Sequence, residues 1–244
     1  MKVVSWPTGV NRIVTSETSG KLAENGVEND KSENGSEMSR LRGSGVPDRY
    51  QVSMTFSNDA GDPFYRDHTD AYGRHITEWE ASQKLTSLRA GIPGYRGNSF
   101  ENISAYGPGA ALPHYSTPRE GSAVIRPQGL YLVDSGGQYL TGTTDITRTV
   151  PMGDCTDLEK EGYTLVLTGM IDLSMAVFPR GTTGHQLDAL ARMPLWKAGR
   201  NFGHGTGHGI GSVMSVHEDG VGISPRFVKP IQVGMVCSNE PGFY

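Results

Sequence analysis

Residues 129–150, GLYLVDSGGQYLTGTTDITRTV, restrict what this chain can fold into more than any other stretch. An apolar LYLV run leads to Gly136–Gly137, and a β-branched run follows Gly142. Such runs bounded by glycine read as two strands around a turn. The chain therefore builds an antiparallel hairpin, and that hairpin carries a carboxylate on each arm. Asp134 and Asp145 are eleven residues apart. With the turn centred on Tyr139–Leu140 they stand opposite each other, with Cβ atoms about 5 Å apart. Two carboxylates that close repel unless a proton or a cation lies between them. The alternative is a different register in which each aspartate caps a turn.

A second segment supplies imidazoles. FGHGTGHGIGSVMSVHE (202–218) holds His204, His208 and His217, three of the seven histidines. One reading is a glycine-rich surface loop with incidental histidines. The other is a metal site, where glycine lets the backbone come close to an ion or a substrate. Asp134, Asp145, His208 and Glu240 together form an oxygen set with one imidazole, which suits Mn2+ or a similar hard divalent ion and fits a thiolate site poorly. A two-metal site of this kind holds its ions about 3.5–4 Å apart and activates a water between them. His114 follows a Gly/Pro loop in GPGAALPHY and can reach the same cleft; an ordinary loop histidine is the alternative.

The remaining sequence divides into a tail and a domain. Hydrophobic residues make up 36% of the chain, with 33 Gly and 14 Pro, so part of it does not join a core. Residues 15–48 are rich in Ser, Glu, Asn, Gly and Lys and read as disordered. Residues 49–75 are aperiodic, so a low-complexity tail over 1–75 and a domain over 76–244 are expected. Within the domain, Thr77 with Glu80 and Thr156 with Glu159 are capping boxes that open helices. Trp79, Leu85 and Leu88 recur at helical spacing in the first, which Gly91 stops. Tyr163, Val166, Leu167, Met170, Ile171 and Val177 do so in the second, which ends before Pro179. A third helix over 185–199 bends or restarts at Pro194. SFENISAY and VGMVCSNEPGFY have strand character. The order predicts an α+β domain, a sheet of hairpins backed by helices.

Charge and cysteine content exclude other classes. A net charge of −4 with mixed signs gives no basic stripe for nucleic acid and no polybasic patch for a membrane. No apolar run approaches the roughly 20 residues of a membrane span, and MKVVSWPTGVNRIV lacks the apolar core of a secretory leader. Cys155 and Cys237 form neither a zinc-type pair nor a disulfide framework, so a cytoplasmic setting is expected.

DSGGQYLTGTTDITRT, GHGTGHGIGSVMSVHE and SNEPGFY, in that order and at these separations, resemble the catalytic domain of aminopeptidase P (Xaa-Pro aminopeptidase). This is a branch of the pita-bread metallopeptidases, alongside prolidase, methionine aminopeptidase and creatinase. The likeness extends upstream through ITEWEASQKLTSLRAG and ISAYGPGAALPHY and covers about residues 75–244. It implies a curved antiparallel sheet with helices on its outer face and a dinuclear site, usually Mn2+, in the concavity. It also implies roles: Asp134, Asp145, His208 and Glu240 as metal ligands, with Glu240 also the general base. His114 and His217 match histidines that contact the substrate carbonyl and stabilise the tetrahedral intermediate, and His204 matches a further substrate-side histidine. The implied reaction removes an N-terminal residue that precedes proline, and family members are often homodimers.

The sequence departs from that pattern in three places. A second glutamate and an arginine, expected in a GIRxEN-like strand beyond EPGFY, lie past Tyr244; the large N-terminal domain is replaced by the tail; the helix that opens the catalytic domain has no counterpart. A sheet incomplete at its C-terminal end, an exposed edge there and a weakened second metal site are therefore expected. Three other readings compete. One is an inactive fragment of such an enzyme; another is a non-catalytic relative of the fold that binds a peptide or a protein; the third is a prolidase-like enzyme acting on Xaa-Pro dipeptides.

Overall fold

A computed structural model describes residues 12–17, 49–55, 75–211, 213 and 215–244 of the chain. Of the stretch 15–48 expected to be disordered, residues 18–48 lie outside them, while 15–17 are strand. Inside the stretch read as a tail, two strands are present: β1 (Arg12–Glu17) and β2 (Arg49–Thr55). RIVTSE holds three β-branched residues in a row and RYQVSMT alternates polar with apolar ones, long enough to pair and too short to stand out against the polar stretch between them.

The hairpin of the sequence reading is β5 (Leu130–Ser135) and β8 (Ile146–Pro151), with β6 (Gly137–Tyr139) and β7 (Gly142–Thr143) extending its tip. β5 runs between β8 and β4 (Ile103–Tyr106). All six residues of β5 are buried because both faces are covered. Tyr131 and Val133 pack with Ile76, Ala81, Ile125 and Met152 under α1 (Glu78–Ala90). Leu132 packs on the other side with Ile103, Ala105 and Ala110, the last from a 3-10 turn over Gly107–Ala111. β6 also pairs with β3 (Tyr95–Asn98).

The helices form where their caps predict. Thr77 and Glu80 make the reciprocal bonds of a capping box on α1, and Thr156 and Glu159 do so on α2 (Asp157–Ser174). α2 stops earlier than expected: Val177 belongs to β9 (Val177–Pro179) and is 57% exposed. α3 (Gly184–Lys197) runs through Pro194 without ending, and a third box, Thr183 with Gln186, opens it. The buried face of α1 also differs from the apolar spacing. Leu88 is 40% exposed, whereas Glu78, Ala81, Ser82 and Arg89 are buried. Glu78 is tolerated at 0% exposure because its carboxylate accepts from Tyr106 N–H (2.6 Å), Tyr115 O–H (3.0 Å) and Ala123 N–H (3.2 Å).

A second sheet has the order β11-β10-β12-β1-β2-β9, with β10 spanning Gly207–Ile210, β11 His217–Ile223 and β12 Val236–Cys237. The edge beside β12 that the sequence left exposed is paired: Ile13 faces Cys237 and Val14 faces Val236. Leu173 of α2, Leu187 and Ala191 of α3, and Phe178, Ile223, Ile231 and Cys237 form the core between these helices and the sheet. The architecture is α+β, with antiparallel pairing throughout, as the order of elements predicts.

Candidate metal centre

Three of the four expected ligands meet. Ligand atoms of Asp145, His208 and Glu240 all lie within 4.8 Å of one another, the one such group of acidic, histidine or cysteine side chains among the described residues. Each comes from a different element: Asp145 from the residue preceding β8, His208 from β10, and Glu240 from the segment after β12. Asp134 falls outside the group and is 4% exposed on β5.

The expected register needs correction. Asp134 pairs with Thr147, and Ser135 with Ile146, so Asp145 is not opposite Asp134. The chain reverses at Leu140–Thr141, between the paired Tyr139 and Gly142, one residue later than expected. Moving the turn by one residue moves the partner by two, which keeps the face: Asp145 is the diagonal neighbour of Asp134.

The glycines around His208 serve strand packing. A Cβ on Gly207 would lie 2.0 Å from the Ser238 carbonyl oxygen, and one on Gly209 would lie 2.3 Å from that of Glu218. Close approach is required at both, here to the backbone of the neighbouring strands. β10 is thereby clamped between β11 and β12.

The ring of His208 is oriented from both sides. Its Nδ1 lies 2.7 Å from the Gly209 carbonyl oxygen, which fixes that nitrogen as the N–H donor. Nε2 is then turned toward Glu240 Oε1 at 2.8 Å and Asp145 Oδ2 at 3.2 Å. Burial disfavours charge on this ring, but the two carboxylates outweigh it and push its pKa up to about 10. Ser238, not foreseen in the sequence, ties the group together. Its Oγ accepts His208 N–H (2.9 Å) and donates to Glu240 Oε1 (2.7 Å). The available signal was its place two residues before Glu240, on the same side of an extended chain.

The other histidines flank this cluster. The His217 ring stands 4.0 Å from that of His208, centroid to centroid, at 56°. Burial, with the neighbouring His208, lowers its pKa, so it is a neutral imidazole near pH 7. His114 is exposed and close enough to His217 to act on it electrostatically. His204 is set apart on the segment before β10, against Phe202 (4.8 Å) and stacked on Tyr244 (5.9 Å between centroids).

Two carboxylates and one imidazole nitrogen, all aimed at one point, form a donor set that fits a divalent ion of the Mn2+ or Zn2+ type. Cys237, though close to Glu240, has its pKa raised by burial and remains a thiol on the helix side. A thiolate site is therefore not built here.

Comparison with known proteins places this geometry among peptidases. The model of metallopeptidase family M24 matches residues 54–244. A probable Xaa-Pro aminopeptidase P of Paracoccidioides brasiliensis is 50% identical over 172 residues, 69% of this chain and 28% of its own length. The crystal structure of an X-prolyl aminopeptidase from Caenorhabditis elegans, described as a cytosolic enzyme with a di-nuclear active site, superposes with a TM-score of 0.67 at 43% identity. That match covers 71% of this chain and 28% of the worm protein. A prolidase from Thermococcus sibiricus superposes with a TM-score of 0.61 at 34% identity over 69% of this chain and 44% of its own. This chain thus spans 28% of the length of the aminopeptidase relatives it matches.

Proposed function

The chain belongs to metallopeptidase family M24 and has its pita-bread fold, and from that premise we propose that it carries the catalytic centre of an Xaa-Pro aminopeptidase. The single observation that carries this reading is the convergence of Asp145, His208 and Glu240 from three elements on one point. Asp145, His208 and Glu240 would hold one divalent ion, with Asp134 set back on β5 as a ligand toward a second; Mn2+ is the ion we favour. When bound, such ions supply a Lewis acid that polarises a carbonyl oxygen and acidifies a water.

The protein's own groups then have distinct tasks. Glu240, held by the Ser238 hydroxyl, takes the proton of the attacking water on its carboxylate and returns it to the leaving amine. His217, neutral and beside His208, donates an N–H to the oxygen where negative charge develops. His114, near enough to act electrostatically on His217, would share that contact with the substrate carbonyl. His204, stacked on Tyr244, would line the substrate side further from the ligand group. The substrate class is a peptide with proline second. No helix among the described residues is long and apolar enough to cross a membrane.

The test is Mn2+-dependent release of the first residue from an Xaa-Pro-Yaa tripeptide by the 244-residue chain. Release should vanish with a chelator and in Asp145→Asn. Failure of the folded chain to bind stoichiometric metal would sink the reading. The prolidase likeness gives a second reading: release from an Xaa-Pro dipeptide in preference to the tripeptide would favour it.

A further inference from the structure

Between His204 and His208 the chain reads GTG, so Thr206 is the one side chain available to hold that span. Glycine-rich backbone loses the most freedom on ordering, so a fixed position here needs outside support. Thr206 is 0% exposed. Its Oγ1 donates to Asp188 Oδ1 at 2.5 Å, and its carbonyl oxygen accepts Glu240 N–H at 2.7 Å. One residue thus joins α3 to the candidate general base.

Asp188 is itself 3% exposed and accepts Arg192 Nε on Oδ2 at 2.6 Å. Arg192, also 3% exposed, donates from Nη1 to the Phe202 carbonyl (2.6 Å) and Asn201 Oδ1 (2.9 Å). Its Nη2 donates to the His204 carbonyl at 2.8 Å. Among the described residues, every side-chain hydrogen bond of the pair beyond its own bridge therefore ends on residues 201–206. A buried ion pair is a poor source of stability, because desolvation offsets most of the attraction. Its value lies in direction: two planar groups fix two backbone carbonyls, one side-chain amide and one hydroxyl along the segment that leads into β10.

We propose that Asp188 and Arg192 are positioning residues for the metal centre. Through Thr206 they set how far Glu240 stands from the strand bearing His208, and through the Phe202 and His204 carbonyls they aim His204. This inference rests on the function proposed above.

The experiment compares Thr206→Val with Thr206→Ser in the full 244-residue chain. Two readouts are taken: Mn2+ affinity by calorimetry, and native-state hydrogen exchange of the Glu240 and Ser238 amides, against the denaturant midpoint. Thr206→Val should weaken Mn2+ binding about tenfold, the effect of losing an outer partner of a ligand set. It should also speed Glu240 exchange by more than the change in global stability explains, and Thr206→Ser should restore both. Unchanged affinity and unchanged Glu240 protection, with only a lower midpoint, would make the pair purely structural and overturn the proposal. If wild type binds no Mn2+, the metal reading fails on its own, and the exchange arm still decides the positioning claim. Should Thr206→Val not fold, Arg192→Lys keeps the charge beside Asp188 but cannot fork to both carbonyls, and the same readouts apply.

Discussion

Raising the pH from 6 to 8.5 should tighten Mn2+ binding by about tenfold per unit. The cause is the proton on His208. Nε2 sits 2.8 Å from Glu240 Oε1 and 3.2 Å from Asp145 Oδ2. Burial opposes a charge there, yet the two carboxylates raise the pKa to about 10. A metal needs the Nε2 lone pair, so the proton must leave first. At pH 7 the ring lies about three units below its pKa, which sets the cost of deprotonation near 4 kcal/mol. Calorimetry in buffers of different ionisation enthalpy counts the protons released; about one per Mn2+ is expected at pH 7. Affinity independent of pH, with no proton released, would refute the argument.

The same shift has a signed consequence for the metal-free fold. A histidine whose pKa is raised by folding contributes stability that is fully present below its unfolded value. That contribution fades as the pH climbs through the folded value. Here the window runs from 6.5 to about 10. Metal-free protein should therefore lose stability across that window in denaturant titrations, and saturating Mn2+ should reverse the trend.

Other substitutions probe separate parts of the structure. Gly207→Ala forces a Cβ against the Ser238 carbonyl and should cost about 1–3 kcal/mol in denaturant unfolding, with loss of metal binding. Ser238→Ala removes the hydroxyl shared by His208 and Glu240 and should weaken Mn2+ binding about tenfold with little change in fold, as read by calorimetry and circular dichroism. Leu173→Ala, at 1% exposure between α2 and the second sheet, should cost about 2–5 kcal/mol without altering metal stoichiometry.

How much of this was legible depended on how far apart the partners lie. Thr77 with Glu80 and Thr156 with Glu159 are three residues apart, and both helix starts follow from them. Thr183 with Gln186 carries the same signal, but Gly184 at the first helical position obscured it. Apolar spacing did worse. Leu88, Ile171 and Val177 fit the helical period and are 40%, 40% and 57% exposed. The charged residues that replace them inside cannot be read locally. Glu78 is satisfied by Tyr115 and Ala123, and Arg89 by Ser135 and Thr144, partners found only after the sheet has formed. Asp188 and Ser238 escaped for the same reason, since their chemistry belongs to residues 201–206 and to His208.

The hairpin shows why an error in register left the site readable. Side chains alternate faces along a strand, so a displacement of the partner by one would have turned one aspartate into the opposite layer. The displacement here is two. Asp134 keeps the face of Leu132, while Tyr131, Val133 and Ser135 face α1, where Arg89 holds the Ser135 hydroxyl at 3.2 Å. Asp145 shares the face of Asp134 but stands one pleat along, a diagonal spacing of about 7–8 Å in place of about 5 Å. Carboxylates that far apart need no common proton, yet a cation between them stays within reach of an oxygen from each. Asp145 meets His208 and Glu240, while Asp134 lies outside that group. The alternation of a β-strand keeps both carboxylates on one face, so a register error of two left the candidate ligand set unchanged.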